Sequence, residues 1–407
     1  MRILIAWELG GNFGHLARCL PIAEGLRRRG HEVVFAVRDT RAAAALPAPA
    51  SMTLVQAPLL GTKVRLARPP ASYAEILLGE GYADAPGLHG AVDAWRGLLR
   101  LARAEALLAD HAPTALLAAH IGGVPHLAIG NGFAVPPEVS PPPSIRPWEA
   151  VPRTRLLQAG RAVDAAIAAA AARFGHAGTV GLGDLFGPRD LLDTFVELDP
   201  FPARRGGDYI GPIFSLAGSR TVPWQAREGR KVLAYLRPDV PGFAALMAAL
   251  GGLDAETLCV APGLGPAQAR RLAGPRLRIA TAPLALAPLL PEADLVVSYG
   301  GNGMTAQALL AGKPLLLAPR LVEQHLGAGA VAGLGAGILM GADRSREAFG
   351  RALAALLGDP RPAACARGFA DKYAGFTPDR AVARAIAAIE STAGGAGDTK
   401  RSEHELH

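Results

Sequence analysis

The stretch ADLVVSYGGNGMTAQALLAGKPLLLAP, residues 293–319, decides the fold class. A short apolar run predicts a buried strand that leads directly into the glycine cluster at 300–303. A helix is predicted to begin near Met304 and to end at Gly312, before a second buried strand. This order of strand, glycine turn, helix and strand is typical of α/β proteins with a parallel sheet.

The glycine cluster 300–303 also predicts an anion site. Glycine lets a ligand approach the backbone closely, and the free amides and dipole of the following helix favour a negative charge. A pyrophosphate cradle has these properties. The residues themselves also allow a glycine-rich turn that binds no ligand.

The same plan recurs along the chain. In the first half, predicted strands cover 3–6, 33–37, 106–109 and 127–129, and a predicted helix covers 114–120. In the second half, predicted strands cover 232–236, 258–260, 277–280 and 295–298, and predicted helices cover 243–250 and 284–290. The fold class predicted from this alternation is α/β with parallel sheets, which bind ligands at the carboxyl ends of their strands.

The length of 407 residues indicates two domains. Chain character changes near 208–230, where glycine and proline punctuate a stretch without clear periodicity. We predict a first domain at 1–212, a linker at 213–229, a second domain at 230–391 and a disordered tail at 392–407. Residues 79–90 and 136–147, rich in glycine and proline respectively, are predicted to be surface loops.

Composition excludes several classes of protein. The net charge of +7 is spread over the chain without a basic run that alternates with aromatics, which argues against nucleic acid and fits an anionic ligand or a membrane surface. Three widely separated cysteines provide neither a disulfide framework nor metal-ligand spacing, so we expect a reducing cytoplasm. The opening apolar run is too short for a signal peptide, and no run is long enough to span a bilayer.

A second glycine cluster lies near the amino terminus, in LIAWELGGNFGHLARCL, residues 4–20. Glycines before a helix suggest phosphate binding, whereas His15 suggests proton transfer, because the pKa of an imidazole lies close to neutral pH. A histidine that merely bonds the backbone at its own helix start is the simpler interpretation. Asp110, at a predicted strand end before a helix, is in the same way a candidate N-cap.

Four segments together resemble the GT-B glycosyltransferases, specifically the bacterial macrolide and natural-product glycosyltransferases and the plant UDP-sugar transferases. The segments are GGNFGH with the following LARCLPIAEGLRRRGHEV (10–33), LLADHAPTALLAAHIGGVPHLAIG (107–130), LRIATAPLALAPLLPEADLVVSYGGNG (277–303) and EQHLGAGAVAGLGAG (323–337). They occur in the family's order through most of the chain. The interval from Tyr299 to Glu323 equals the family's interval between its diphosphate-binding histidine and its sugar-binding acidic residue. The resemblance implies two Rossmann-like α/β domains with parallel sheets that face each other across a cleft.

The resemblance also implies roles for individual residues. His15 matches the general base that removes the acceptor's proton, and Asp110 matches the acidic residue that orients this base. The acceptor-binding residues implied are Asn12, Phe13 and Phe133. The donor-binding residues implied are Ala282, Leu284, Tyr299, Gly300, Gly301, Asn302, Gly303, Thr305, Gln307, Glu323 and Gln324. Arg237, directly after the first predicted strand of the second domain, and Arg320 are added as donor-binding candidates because of their position and charge. Glu323 and Gln324 match the pair that grips the sugar hydroxyls, and no residue is assigned to a metal.

Three positions depart from the family's pattern. Tyr299 stands where the family usually has a diphosphate-binding histidine, Met304 where serine or threonine is common, and Gln307 where a glutamate often binds the ribose. A phenol donates one neutral hydrogen bond, whereas an imidazolium also contributes charge. We therefore expect Arg237 or Arg320 to compensate, although Arg237 is equally interpreted as a solvated loop charge.

The resemblance predicts an inverting, metal-independent glycosyltransferase that uses a UDP- or dTDP-sugar as co-substrate and a small hydrophobic acceptor, with no other cofactor. Contact with a membrane surface and a homodimer are compatible with the sequence. Two alternatives stay open. One is a nucleotide-sugar-binding protein of this fold that has lost catalysis, and the other is an NAD(P)-dependent oxidoreductase that uses the first glycine cluster, which lacks the G-x-G-x-x-G spacing.

Overall fold

The computed structural model describes residues 1–11, 13–44, 52–202, 204–214 and 220–404, with residues 13 and 395–404 described by their backbone alone. The chain divides into two compact units, one comprising Met1–Phe214 with Thr377–His407 and the other Ser215–Phe376. Each unit contains one parallel β-sheet with helices, which confirms the predicted α/β class.

The first unit contains a seven-stranded sheet. Its strands are β1 (Arg2–Trp7), β2 (Glu32–Val37), β3 (Thr53–Gln56), β4 (Ala106–Asp110), β5 (His126–Gly130), β6 (Leu191–Leu192) and β7 (Asp208–Tyr209), in the order β3-β2-β1-β4-β5-β6-β7. The paired strands are all parallel, and Trp7 of β1 lies opposite Asp110 of β4. Its helices are α1 (Phe13–Arg28), α2 (Thr40–Ala44), α3 (Tyr73–Leu77), α4 (Ala85–Leu101), α5 (Pro113–Ile121) and α6 (Arg153–Arg173).

The second unit contains a six-stranded parallel sheet. Its strands are β8 (Lys231–Tyr235), β9 (Glu256–Val260), β10 (Leu277–Ala280), β11 (Leu295–Ser298), β12 (Leu315–Leu317) and β13 (Gly337–Leu339), in the order β10-β9-β8-β11-β12-β13. Its helices are α7 (Phe243–Gly251), α8 (Pro266–Leu272), α9 (Asn302–Leu310), α10 (Val322–Gly333), α11 (Arg346–Gly358) and α12 (Pro360–Lys372).

Each sheet has one point at which the strand order reverses. In the first unit this point lies between β1 and β4, and in the second it lies between β8 and β11. The loops that follow the two strands diverge there, because their helices cover opposite faces of the sheet, and they leave a crevice at the carboxyl ends. His15, Arg237 and the glycine cluster 300–303 lie in the segments that follow β1, β8 and β11, and Asp110 is the last residue of β4. The topology therefore positions the candidate site residues.

Two of the local predictions are wrong. Residues 284–290 do not form a helix: Leu284 pairs with Arg220 in an isolated bridge, 287–290 form turns, and Pro288 has no backbone N–H to donate within a helix. Residues 79–90 are helical rather than a surface loop: a π-helical turn covers Leu78–Tyr82, and α4 begins at Ala85. Tyr82 is buried and anchors this turn in the core of the first unit.

The end of the chain also differs from the prediction. Helix α13 (Pro378–His404) replaces the predicted disordered tail, of which residues 405–407 lie outside the described residues. Residues 377–391 belong to the first unit and not to the second, because Ala381, Ala385 and Ile389 form a buried stripe of α13 that packs in the first unit, where the helix contacts α1, β4 and β5. The boundary after residue 214 falls within the predicted linker 213–229, of which residues 215–219 are not described.

Candidate active site

His15 and Asp110 form a hydrogen-bonded pair in the first unit. His15 lies in the first turn of α1, Asp110 ends β4, and the His15 Nδ1 to Asp110 Oδ1 distance is 3.0 Å. Burial alone would raise the pKa of Asp110, but the charges of Arg18 and His15 hold it well below its usual range. The carboxylate can therefore only accept, so Nδ1 of His15 donates, and in the neutral form of the imidazole the lone pair is on Nε2.

Both simpler interpretations of these residues are wrong. Asp110 does not cap α5, since that helix begins at Pro113 and its N-cap residue, Ala112, makes no side-chain capping bond. His15 bonds a distant carboxylate instead of its own backbone. A carboxylate that accepts from Nδ1 fixes the tautomer of the imidazole.

The glycine cluster next to His15 makes room for its ring. The nearest heavy atom to a Cβ built at Gly10 is His15 Nε2, at 2.5 Å, and the backbone of Gly10 has a φ of +81°. On the other side, the ring of Trp7 stacks on His15, with centroids 5.2 Å apart and planes 18° from parallel. A glycine at position 10 and an aromatic ring from β1 thus hold Nε2 in place.

Substitution of Gly10 is expected to damage this arrangement. Gly10→Ala introduces a methyl group 2.5 Å from Nε2, too close for both to keep their places, and strains a left-handed backbone, so we expect kcat for the reaction that His15 serves to fall about 10- to 100-fold. Gly11→Ala is the matched control, because a methyl group there meets no described atom within 4 Å. Equal effects of the two substitutions on steady-state kinetics would contradict this assignment of Nε2.

Two further buried polar side chains of the first unit, Glu8 and His111, each have an atom without a hydrogen-bond partner among the described residues. Glu8 follows β1 and accepts a 2.9 Å hydrogen bond from the Thr114 amide through Oε2, while Oε1 has no partner among the described residues. His111 follows Asp110 with a φ of 47°, and its Nε2 is likewise unpartnered among the described atoms. Burial lowers the pKa of His111 to about 3, so this second imidazole is neutral at physiological pH.

Glu8 predicts a pH-dependent stability. Burial raises its pKa from 4.5 to about 7, so its contribution to stability is fully present below pH 4.5 and is lost as the pH rises through 7. The cost of ionising it in the folded protein is about 3 kcal/mol at high pH. Because Glu8→Gln stays neutral, we expect the Tm of this variant minus that of the wild type to increase from pH 5 to pH 8. A difference in Tm that is constant with pH would contradict the buried, protonated state.

The glycine cluster of the second unit has the geometry of an anion site. Gly300 has a φ of +82°, and Gly301 precedes α9 in an extended conformation without a side-chain cap. A Cβ at Gly300 would lie 3.1 Å from the Gln324 carbonyl oxygen, so close packing also requires glycine there. Thr305 Oγ1, in the first turn of α9, is buried without a hydrogen-bond partner among the described residues. Amides at the start of α9 and this hydroxyl are suited to phosphate oxygens.

Two arginines flank this loop. Asp239 joins them, because its Oδ1 lies 3.3 Å from Arg237 Nε and its Oδ2 lies 2.7 Å from Arg320 Nη1. Burial raises the pKa of Tyr299, although Arg237 and Arg320 oppose this shift, so Tyr299 is a neutral donor beside two cations. Arg237 is therefore part of a charged group together with Arg320 and is not an isolated loop charge.

Some of the remaining candidate donor residues form hydrogen bonds within the second unit. Gln324 is buried, and its Oε1 accepts from the amides of Arg320 and Leu321 at the start of α10, while Gln307 Nε2 donates to the Gly303 carbonyl. Ala282 is exposed after β10, and Leu284 is buried. Glu323 lies in the first turn of α10, and Asn302 begins α9. These roles stay predictions.

The candidate acceptor residues are described only in part. Phe133 is buried and contacts His111 edge-on, with ring centroids 6.4 Å apart, which places it near His15. Asn12 lies outside the described residues, as does the side chain of Phe13. Tyr73 joins the same group of rings, with centroids 5.9 Å from His111 and 6.5 Å from Phe133.

Sequence reasoning missed several residues of these groups. Arg18 and Cys19 follow His15 by three and four positions, the spacing that places side chains on one helix face, so this signal was available. Asp239 is two residues from Arg237 and was also within reach. Asp193, which binds Arg18, follows a two-residue strand that has no detectable periodicity. No signal in the sequence relates it to α1.

Neither a candidate metal site nor a candidate membrane-spanning helix is found among the described residues. They include no group of three or more histidine, cysteine or acidic side chains arranged to hold a metal ion. They also include no helix with the length and apolarity needed to cross a membrane.

Two parallel-sheet α/β units with polar side chains at their strand-order reversals define the class: the chain has the GT-B fold of glycosyltransferases. It superimposes on the spinosyn rhamnosyltransferase SpnG in complex with spinosyn aglycone with a TM-score of 0.67, at 20% identity, over 95% of this chain and 100% of that one. The glycosyltransferase VinC in complex with dTDP gives a TM-score of 0.69 at 18% identity, over 96% of this chain and 100% of the other. The calicheamicin glycosyltransferase CalG4 gives 0.68 at 18% identity, over 97% and 98%.

The sequence comparisons cover shorter parts of the chain than the structural comparisons do. Residues 244–389 match the family described as erythromycin biosynthesis protein CIII-like, C-terminal domain. The elloramycin glycosyltransferase ElmGT of Streptomyces olivaceus is 41% identical over 87 residues, which cover 21% of this chain and 22% of that protein. The chain thus matches about a fifth of the length of this curated relative. The resemblance to natural-product glycosyltransferases predicted from sequence motifs is confirmed.

Proposed function

We propose that this protein is an inverting, metal-independent glycosyltransferase that moves a sugar from a nucleoside-diphosphate sugar to a hydroxyl or other nucleophile of a small hydrophobic acceptor. The observation that carries the proposal is the His15–Asp110 pair, at 3.0 Å, in a chain with the GT-B fold. Support for the donor comes from the glycine loop before α9 with its two adjacent arginines. The structure of VinC with dTDP supports thymidine diphosphate as the leaving group. Uridine diphosphate is the alternative that the sequence resemblance implies.

The mechanism follows from the tautomer of His15. Its Nε2 takes the proton from the nucleophilic atom of the acceptor, while that nucleophilic atom attacks the anomeric carbon of the donor sugar. The bond between that carbon and the diphosphate breaks, and its electron pair leaves on the diphosphate. A single displacement of this kind inverts the configuration. Asp110 stabilises the imidazolium that forms, and the amides at the start of α9 with Arg237 and Arg320 stabilise the leaving charge.

A donor screen followed by product analysis tests the proposal. We expect one class among UDP-, dTDP- and GDP-sugars to raise the Tm in proportion to the logarithm of its concentration over Kd. With that donor and a panel of hydrophobic hydroxylated acceptors, sugar transfer should proceed in the presence of EDTA and give a product of opposite anomeric configuration. Failure of every nucleotide to raise the Tm, together with the absence of transfer, would contradict the proposal.

Tyr299 favours one alternative, a nucleotide-sugar-binding protein without catalysis. The phenol of Tyr299 supplies no charge to the diphosphate, unlike a protonated histidine. This alternative predicts a rise in Tm with a nucleotide sugar but neither transfer nor donor hydrolysis. The retained His15–Asp110 pair argues against it, since binding a donor requires no base.

A further inference from the structure

Asp110 makes more contacts than a simple partner of His15 needs. Its Oδ1 accepts from both His15 Nδ1 at 3.0 Å and Arg18 Nη1 at 2.6 Å, and Cys19 Sγ lies 3.4 Å from Oδ2. Arg18 also donates through Nε to the carboxylate of Asp193. A continuous series of hydrogen bonds therefore connects His15 through Asp110 and Arg18 to Asp193.

The side chains of this hydrogen-bonded series are buried and come from three elements of the fold. The side chain of Asp110 is 0% exposed, that of Asp193 is 1% exposed and that of Arg18 is 8% exposed. Helix α1 provides His15 and Arg18, β4 ends at Asp110, and Asp193 follows β6, where its amide bonds the Gly130 carbonyl. Fixed side chains on three elements leave Asp110 little freedom to move.

The hydrogen-bonded series contains one positive charge between two carboxylates. Burial raises the pKa of Asp193 to about 6 although Arg18 favours its ionised form, so at neutral pH the guanidinium is shared between two carboxylates. Near His15, the positive charge of Arg18 offsets part of the negative charge of Asp110. An uncompensated carboxylate would favour the protonated imidazole, which cannot accept a proton from a substrate.

We propose that Arg18, held by Asp193, is a positioning residue that fixes Asp110 and offsets part of the negative charge that Asp110 presents to His15. This role rests on the proposed function of His15 as a base. The charged and titratable groups that face His15 are Arg18 and Cys19 of α1, Asp110 and His111 at the end of β4, and Asp193 after β6. Arg18 touches none of the reacting atoms.

Two substitutions that should shift the pH profile in opposite directions test this role. Arg18→Met removes the positive charge, and the acidic limb of the kcat/KM profile should move to higher pH by about 1 unit. Asp193→Asn leaves the guanidinium to Asp110 alone, and the same limb should move to lower pH. Arg18→Lys should restore part of the wild-type profile. Unchanged midpoints, or shifts of both variants in one direction, would overturn the proposal even if kcat falls.

The test also needs controls for folding and for the proposed function. The double variant Arg18→Met/Asp193→Leu removes both charges of the buried Arg18–Asp193 pair and keeps Asp110. The acidic limb of its kcat/KM profile should therefore also move to higher pH. Binding of dTDP or UDP serves as the control for folding, because the candidate nucleotide site lies in the other unit. Histidine NMR signals, assigned to His15 by their loss in His15→Asn, follow the titration directly. Shifted NMR titrations in a protein without transferase activity would uphold the charge-sharing role and reject the proposed function.

Discussion

Replacement of His15 by alanine is expected to lower kcat for sugar transfer about a thousandfold, because a positioned general base typically contributes that factor. The loss should appear mainly in kcat, since alanine removes the proton acceptor at Nε2 but does not alter the second unit. Affinity for dTDP or UDP, measured by calorimetry or thermal shift, should stay at the wild-type value. Asp110→Asn should also lose most activity, because an amide neither fixes the donor role of Nδ1 nor stabilises an imidazolium.

A matched control separates proton transfer from general effects of losing an imidazole. His126 lies on β5, and its Nδ1 donates to the Val124 carbonyl in the same unit. His126→Ala should therefore leave kcat close to the wild-type value. If His15→Ala retained a wild-type rate, the assignment of the base would be wrong, whatever donor the protein uses.

Arg320→Ala is expected to weaken binding of the nucleoside diphosphate about 10- to 100-fold, the range of a charge-assisted hydrogen bond. Arg320 follows β12, and its Nη1 is 2.7 Å from Asp239, a contact that diphosphate oxygens could replace. Because Tyr299 is a neutral donor, it adds no charge that would compensate for this loss. Arg237→Ala should have a smaller effect in the same direction, since this side chain is more exposed than Arg320, 38% against 24%.

The ligand itself provides the sharpest control for this prediction. Thymidine and uridine lack the diphosphate, so their affinities should not change in Arg320→Ala. Arg351 is 72% exposed on α11, and Arg351→Ala removes a positive charge from the same unit without touching the glycine loop. A fall in nucleoside affinity equal to the fall for the diphosphate, or an equal effect of Arg351→Ala, would show that Arg320 does not bind phosphate.

The fold was predictable because its signal is local. Short apolar strands that end in glycine, aspartate or a turn recur in both halves, and a parallel α/β arrangement follows from that alternation. The prediction was wrong where local patterns conflict, as at 284–290, where leucines at helical spacing are interrupted by Pro288. It was also wrong for residues 79–90, where glycines suggested a loop and the buried Tyr82 determined the structure.

The candidate site was predictable only in its outline. His15 and Asp110 lie next to glycines and at a strand end, positions that the motifs mark, and the structure joins them by a hydrogen bond. The charge that Arg18 and Asp193 add to this pair depends on contacts over 175 residues of sequence separation. Composition and spacing carry no information about such contacts, since they arise only when β6 pairs beside β5.

Helix α13 has a practical consequence for recombining parts of related enzymes. A hybrid joined once, near residue 214, would supply the first unit with a foreign terminal helix, although Ile386 of this helix packs against Gly25 and Glu390 bonds His31 and Arg29. The second unit is thus an insertion in chain order. Exchange of the second unit alone requires two junctions, one near residue 214 and one near residue 377, so that the native α13 stays with α1.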